Sequence, residues 1–132
     1  MAGARTIKKL KKMAGRNVTF LTKVSDEDMP EKFASAKAFI FPGVDDFGIV
    51  AVEAMAAGTP IIAYKDGGAL DYVNQTTGLF FNEQTPAGVA KAMEEFSKTS
   101  FNHSRVSQHA EKFSPANFCS SFERFLKPLR KN

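Results

Sequence analysis

Short apolar segments that alternate with helical patterns constrain the fold of this chain most strongly. Three of them read AFIF, PIIAY and LFF, and stretches with helical spacing separate them. They lack the alternation of apolar and polar residues that a sheet with one solvated face shows, so both faces should be covered. Strands joined by crossover helices form parallel sheets. The sequence therefore predicts an α/β fold, a parallel sheet with helices on both faces.

The elements of this fold can be placed by their start and stop signals. Four strands are predicted, at residues 17–21, 36–41, 59–64 and 78–81. Helices are predicted at residues 6–14, after a capping box formed by Ser25 and Asp28, from about Phe47 to a cap at Gly58, and at residues 69–73. A helical tail follows Thr85-Pro86, and we expect it to pack back on the sheet. Its apolar stripes are Val89, Met93 and Phe96, then Phe118, Phe122, Phe125 and Leu129.

Length and composition indicate one globular domain. The 132 residues are enough for one hydrophobic core, and 43% apolar with 24% charged residues is ordinary for such a domain. We find neither an apolar run long enough to span a bilayer nor a secretory signal, and we expect a cytoplasmic location. Cys119 lies among phenylalanines at helical spacing and is interpreted as a buried thiol in a reducing compartment.

The net charge of +4 is concentrated in two basic clusters. The first comprises Lys8, Lys9, Lys11 and Lys12, and the second comprises Lys127, Arg130 and Lys131. We interpret both as solvated helix faces, with a patch for nucleic acid or anionic lipid as the alternative. Neither cluster has interleaved aromatic residues on which bases could stack, so we expect no nucleic-acid partner.

Three segments follow predicted strands and could form a binding site. Ligands of open parallel sheets gather outside the carboxyl ends of the strands, and these segments are Thr22-Lys23-Val24, residues 43–48 and residues 65–68. The second segment leads into a helix at about Phe47. Free N–H groups at a helix start attract phosphate, and Gly48 would let a ligand approach the backbone. This segment is therefore the strongest candidate.

Each polar residue in these segments also has a structural interpretation. Asp46 has the residue type of a helix cap, and Asp45 could be a turn residue. Glu53 has only apolar neighbours from Ile49 to Ala57, so it should either line a cleft or form a buried salt bridge. The Gly67-Gly68 pair could be a simple turn. We predict no metal site, because His103 and His109 have no cysteine or carboxylate at ligand spacing.

The run FPGVDDFGIVAVEAMAAGTPIIAYKDGGALDYV resembles the donor-binding segment of family 4 GT-B glycosyltransferases, above all the mannosyltransferase-like members of group 1. In that family two acidic residues, separated by seven positions, flank a Phe-Gly turn. Asp45 and Glu53 have this separation, with Phe47-Gly48 between them. NVTFLTKVSDEDMPEKFASAKAFIFP and TTGLFFNEQTPAGVAKAM resemble the flanking elements. The resemblance implies a Rossmann-like sheet, the C-terminal half of a GT-B fold with a helical tail.

The resemblance also implies roles for individual residues. Asp45 would be the catalytic residue that holds hydroxyls of the transferred sugar, and Glu53 would accept hydrogen bonds from the ribose of a nucleoside diphosphate sugar. The donor-binding set would further include amides and loop residues at Phe47, Gly48, Ile49, Val50, Gly67 and Gly68. Thr22, Lys23 and Val24 would border the base. The nucleotide sugar is a co-substrate, and no cofactor or dedicated metal is implied.

By the same resemblance, residues 1–132 form a single donor-binding domain that lacks its first strand or strands and the N-terminal acceptor-binding domain. The function implied is retaining transfer of a hexose such as mannose or glucose to a glycan or lipid-linked acceptor, as in polysaccharide biosynthesis. We expect the isolated chain to be inactive. Peripheral attachment of the full enzyme to the inner face of the membrane and a homo-oligomer are left open. The alternatives are a stand-alone binding or partner module without transferase activity and, less well supported, a receiver-like domain that accepts phosphate on an aspartate.

Overall fold

A computed structural model describes residues 4–128 and contains a three-stranded sheet. The strands are β1 (Phe39–Phe41), β2 (Ile61–Tyr64) and β3 (Gly78–Phe81), in the order β1-β2-β3. Both pairs are parallel, with Phe39 opposite Ile61 and Ile61 opposite Gly78. The predicted parallel sheet is therefore confirmed.

The remaining elements of regular structure are helices. They are α1 (Ala4–Met13), α2 (Met29–Ala34), α3 (Ile49–Ala56), α4 (Ala69–Tyr72), α5 (Pro86–Ser97), α6 (His103–Ala110) and α7 (Pro115–Leu126), with a 3₁₀ turn at Glu111–Phe113. Side chains cap three of them, because Thr85, Asn102 and Ser114 accept hydrogen bonds from the first turns of α5, α6 and α7.

The two faces of the sheet carry separate apolar clusters. Ile61 and Ala63 of β2 point into the larger cluster, which α2, α3, α4 and α6 cover. Ile62, between them, points to the other face and packs with Phe81 and Ala92 beneath α5. Because neighbouring residues of a strand face opposite sides, both faces need apolar residues. This explains the uninterrupted apolar runs of the sequence.

The connection from α3 to β2 ends the helix sharply. Gly58 has a left-handed backbone (φ 87°), and its N–H donates to the carbonyl of Met55 at 2.8 Å. The N–H of Thr59 reaches back to the carbonyl of Ala54 at 2.9 Å. These two bonds form the Schellman motif that glycine favours. Thr59 then donates its hydroxyl to the carbonyl of Phe33, which joins β2 to α2. The predicted cap at Gly58 is confirmed.

The predicted strand at residues 17–21 is wrong. This segment has no regular structure in the part of the chain described, and Val18 and Leu21 are exposed. β1 pairs with β2 alone among residues 4–128, so residues 17–21 have no ladder partner and their apolar side chains have no sheet to cover. The predicted capping box forms only in part: the N–H of Asp28 donates to Ser25 Oγ at 3.1 Å, as in a capping box, but the Asp28 carboxylate accepts from the Ser25 hydroxyl at 2.6 Å, in a turn before α2 begins.

The tail follows the prediction only in part. Helix α6 packs on α3 and buries Val106 and Ala110 in the larger cluster. The phenylalanines of α7 are exposed instead, and Cys119 beside them is an exposed free thiol, so its assignment to the core is wrong. The physical reason is that α7 packs against the 3₁₀ turn and has no buried residue, so its aromatic stripe stays in contact with solvent. Leu129, Arg130 and Lys131 lie outside the described residues.

The close approach of β2 and β3 predicts a stability difference between two glycine variants. A methyl group at Gly78 would meet the backbone carbonyl of Ile61, whereas one at Gly43 has nothing within 4 Å. Overpacking against rigid backbone costs about 1–3 kcal/mol, so Gly78→Ala should lower the free energy of unfolding by about that amount or more. Gly43→Ala should change it little. Urea unfolding of both variants measures this difference, and equal stabilities would contradict the close packing.

Candidate functional site

The loops that follow β1 and β2 pack directly against each other. The N–H of Gly68 donates to the carbonyl of Asp45 at 2.8 Å. A methyl group at Gly67 would come within 2.6 Å of the same carbonyl oxygen, and one at Gly68 within 2.6 Å of Phe47 Cα. Gly67 also has a left-handed backbone, with φ 58°. The Gly67-Gly68 pair is thus more than a free turn, since it lets the two loops meet backbone to backbone.

Helix α3 begins at a glycine cap. Gly48 is the N-cap residue, with φ 78° and ψ 54°, and its carbonyl accepts from the N–H groups of Ala51 at 2.9 Å and Val52 at 3.4 Å. The interpretation of Asp46 as the cap is therefore wrong, because the left-handed turn at Gly48 delays the helix by two residues. Asp46 is exposed, and its N–H donates to Oδ1 of Asp45 at 2.8 Å.

Four consecutive N–H groups at this helix start donate no hydrogen bond within residues 4–128. They belong to Phe47, Gly48, Ile49 and Val50, the residues that the sequence predicted for this role. An α-helix leaves its first amides without partners, and together with the helix dipole they form a region of positive potential. Such a region can bind an anion.

Glu53 lies on the exposed side of α3, and its opposite side is buried. Ala51, Val52, Ala54 and Met55 enter the core, while Ile49, Val50 and Glu53 are exposed. Glu53 forms no ion pair among the described residues, so the buried salt bridge is wrong. Its side chain lines a groove of about 500 Å³ between α2 and α3, together with Asp26, Met29, Pro30, Phe33, Val50, Ala56 and Ala57. The other prediction, a cleft position, is confirmed.

Two aromatic residues that were not predicted from the sequence pack against the loop that follows β1. Tyr72 of α4 contacts Phe47 edge to face at a centroid distance of 6.2 Å, and Phe113 contacts Phe47 at 5.4 Å. Tyr72 and Phe113 also contact each other. One sequence feature could have pointed to Tyr72, namely a hydroxyl group in an otherwise apolar position of a short helix. Phe113 gave no signal, because it is 66 positions from Phe47 along the chain.

The Tyr72 hydroxyl is buried and has no hydrogen-bond partner among the described residues. Burial raises the pKa of this phenol, and the nearby charges of Asp45 and Asp71 raise it further. This hydroxyl lies close to Gly48, because a methyl group added at Gly48 would be 2.5 Å from Tyr72 Oη. The hydroxyl therefore sits under the glycine that begins α3.

The predicted base-bordering residues lie apart from this contact network. Thr22 and Lys23 are exposed and Val24 is half-buried, in a stretch without regular structure. No hydrogen bond within residues 4–128 joins them to the loops after β1 or β2. Their role in binding a base stays a prediction.

A larger cavity lies at the other end of the sheet. Its volume is about 720 Å³, and its walls include Ala36, Pro60 and Phe101. These residues precede or flank the amino ends of β1 and β2, where ligands of open parallel sheets do not gather. Across residues 4–128, no group of three or more His, Cys, Asp or Glu side chains could hold a metal, and no helix is long and apolar enough to cross a membrane.

Comparison with known proteins identifies the family. The family model described as "Glycosyl transferases group 1" matches residues 2–113, which is most of the chain. The chain belongs to the group 1 glycosyltransferases. The predicted resemblance is thereby confirmed, and the loop between Asp45 and Glu53 lies within the matched region of this glycosyltransferase chain.

Individual relatives agree with this assignment. Alpha-1,3/1,6-mannosyltransferase ALG2 from Homo sapiens is 31% identical over 131 residues, which cover 91% of this chain and 32% of the human protein. D-inositol 3-phosphate glycosyltransferase from Streptomyces scabiei is 33% identical over 102 residues, covering 73% of this chain and 23% of that enzyme. The chain thus spans about a third or less of the length of these relatives.

A solved structure matches the fold. Sucrose-phosphate synthase from Thermosynechococcus elongatus superposes with a TM-score of 0.79 at 25% identity, over 95% of this chain and 34% of the synthase chain. Together with the parallel sheet and its covering helices, this match shows the Rossmann-like architecture of a GT-B fold with a helical C-terminal region.

The contact between Gly48 and Tyr72 predicts a coupling between two substitutions. Gly48→Ala should cost about 1–2 kcal/mol of stability through its left-handed backbone, and it should also crowd the Tyr72 hydroxyl. Tyr72→Phe removes that hydroxyl. In the Tyr72→Phe background, Gly48→Ala should therefore cost less by at least about 0.5 kcal/mol.

Gly58→Ala is the matched control, because Gly58 is also left-handed but faces His103. Its cost should be the same with Tyr72 or Phe at position 72. Urea unfolding of the six chains measures both couplings. An equal cost of Gly48→Ala in the two backgrounds would contradict the placement of the hydroxyl under Gly48.

Proposed function

We propose that this chain carries the donor site of a retaining glycosyltransferase and binds a nucleoside diphosphate sugar at the start of α3. The observation that carries the proposal is the run of N–H groups from Phe47 to Val50 that donate no hydrogen bond within residues 4–128, with Asp45 before this run in the sequence and Glu53 after it. Backbone N–H groups can donate hydrogen bonds to the diphosphate oxygens. Carboxylates can accept hydrogen bonds from the hydroxyl groups of the ribose and of the sugar, which lie on either side of the diphosphate.

The diphosphate lies at the helix N-terminus in this proposal. The N–H groups of Ile49 and Val50 belong to the exposed first turn. Gly48 itself is buried, and the Tyr72 hydroxyl and the Phe41 ring occupy the space that a side chain would need, so its lack of a side chain serves this packing and not the approach of a ligand. Negative charge grows on the diphosphate as the bond to the sugar breaks. Fixed amide dipoles stabilise such charge without having to reorganise, which favours the transition state over the ground state.

The two carboxylates then recognise the two ends of the donor. Glu53 lines the groove between α2 and α3, which has room for a nucleoside, and its oxygens accept hydrogen bonds from ribose hydroxyls. Asp45 stands at the opposite end of the amide run and holds hydroxyls of the transferred sugar. Its Oδ2 atom accepts no hydrogen bond within residues 4–128, so it is available to a ligand.

The relatives favour a hexose as the transferred sugar. The human relative is named as a mannosyltransferase, and a relative from Corynebacterium glutamicum, 37% identical over 82 residues, is named as GDP-mannose-dependent. We therefore propose mannose as the sugar and a GDP-sugar as the donor, with transfer carried out by the whole protein. Acceptor binding, attachment to a membrane surface and self-association stay predictions.

Glu53→Gln tests the nucleoside end of this site. The change keeps the size of the side chain and removes its charge, and Glu53 is exposed, so the melting temperature should stay within about 2 °C of the unchanged chain. The affinity for GDP should fall by about 1–3 kcal/mol, the scale of hydrogen bonds to a charged group. Isothermal titration of both chains with GDP gives the comparison.

Glu123→Gln on α7 is the matched control, because it removes an exposed helical carboxylate outside the groove. It should leave GDP affinity unchanged. Equal GDP affinities of the Glu53 and Glu123 variants would reject the ribose-binding role of Glu53.

A further inference from the structure

The Tyr72 hydroxyl is the one buried side-chain polar group within residues 4–128 that lacks a hydrogen-bond partner. The side chain is 1% exposed. Other buried hydroxyls in the described chain are paired, since Thr59 donates to the carbonyl of Phe33 and Thr77 to the carbonyl of Tyr72. An unpaired buried hydroxyl loses its hydration without compensation. A contact that forms only when a ligand is bound would supply the missing partner.

Packing does not explain the hydroxyl. The ring of Tyr72 makes edge-to-face contacts with Phe47 and Phe113, and a phenylalanine would make the same contacts. The oxygen instead lies beside Gly48, inside the loop that carries Asp45 and Phe47. Burial is the first cause of the raised pKa of the phenol, and the negative charges of Asp45 and Asp71 add to it. Of these two carboxylates, that of Asp45 belongs to the loop beside Gly48.

We propose that Tyr72 is a positioning residue of the donor site. When a nucleotide sugar binds, the Tyr72 hydroxyl donates a hydrogen bond to the carboxylate of Asp45. This hydrogen bond orients the carboxylate towards the sugar. The inference rests on the proposed function, because it assigns a role to Tyr72 only where Asp45 meets the transferred sugar.

The conformational change that this requires involves the side chain of Asp45. The backbone of Asp45 is held by the N–H of Gly68, and the side chain is held only through Oδ1 by the neighbouring N–H of Asp46. The Asp45 side chain can therefore rotate without breaking any other hydrogen bond within residues 4–128, and the proposal is that this rotation brings its carboxylate to Tyr72 Oη. A carboxylate can accept several hydrogen bonds, so Asp45 can bind a sugar hydroxyl and Tyr72 together.

Tyr72→Phe separates this role from a structural one. Without ligand, the variant should melt at the same temperature as the unchanged chain or higher, because it removes an unpaired hydroxyl from the core. Its affinity for a nucleotide sugar should nevertheless fall about tenfold, the effect of losing one hydrogen bond to a charged group. Its affinity for the nucleoside diphosphate alone should stay within about twofold, since Asp45 contacts the sugar.

The titrations use GDP-mannose and GDP, and also UDP-glucose and UDP, so that the base is not assumed. In an Asp45→Asn background, Tyr72→Phe should have no further effect on the nucleotide sugar, because the two residues act as one unit. Tyr64→Phe is the matched control. Tyr64 is the only other tyrosine, and it packs against Phe81 on the opposite face of the sheet. It should change none of the affinities.

The outcomes distinguish this inference from the proposed function. Binding by the unchanged chain with no loss in Tyr72→Phe would reject the positioning role alone. Equal losses for the nucleotide sugar and the nucleoside diphosphate would also reject it, as would a lower melting temperature of the free variant. If the unchanged chain binds none of the four ligands, the proposed function fails and the positioning role fails with it.

Discussion

The backbone contact between the loops after β1 and β2 is the constraint on which the site depends. The N–H of Gly68 bonds to the carbonyl of Asp45, and neither Gly67 nor Gly68 leaves room for a methyl group against the first loop. This contact fixes the path of the chain from Asp45 to Gly48. The start of α3, and with it the direction of its free N–H groups, follows from that path.

Helix α3 serves the core and the site at once. Its buried side, formed by Ala51, Val52, Ala54 and Met55, packs into the larger apolar cluster, and the Schellman motif at Gly58 fixes its far end. Its other side carries Glu53 on the groove shared with α2. A helix held in this way cannot turn or slide without cavities opening in the core. The amides at the start of α3 and the Glu53 carboxylate therefore keep a constant separation, which the proposed recognition of both ends of a donor requires.

Local signals and known topology explain what the sequence could predict. The bounds of β3 and the cap at Gly58 are set by nearby residues, and both predictions are confirmed. The meeting of residues 43–48 with residues 65–68 follows from parallel neighbouring strands, whose carboxyl ends share one edge. The fold class, the family and the cleft position of Glu53 are confirmed as well.

The predictions that were wrong depended on tertiary contacts or backbone conformations that local sequence patterns do not specify. An apolar run such as residues 17–21 becomes a strand only beside a partner, and it has none among residues 4–128. The stripe of α7 has the spacing of a core helix, but spacing does not say which surface will cover it, and Cys119 was misplaced with it. Asp46 has the right residue type for a cap, yet the backbone conformation of Gly48 decides where α3 begins. The contact of Phe113 with Phe47 is long-range and leaves no local pattern.

Chemical-shift mapping of the isotopically labelled chain with a nucleoside diphosphate can show whether the start of α3 binds this ligand. ¹H–¹⁵N spectra recorded during titrations with GDP and UDP report on each backbone amide separately. If the diphosphate binds at the start of α3, the largest saturable shifts will occur at Phe47, Gly48, Ile49 and Val50. Shifts centred on the cavity around Ala36 and Phe101, or saturable binding that leaves those four amides unchanged, would contradict binding at the start of α3.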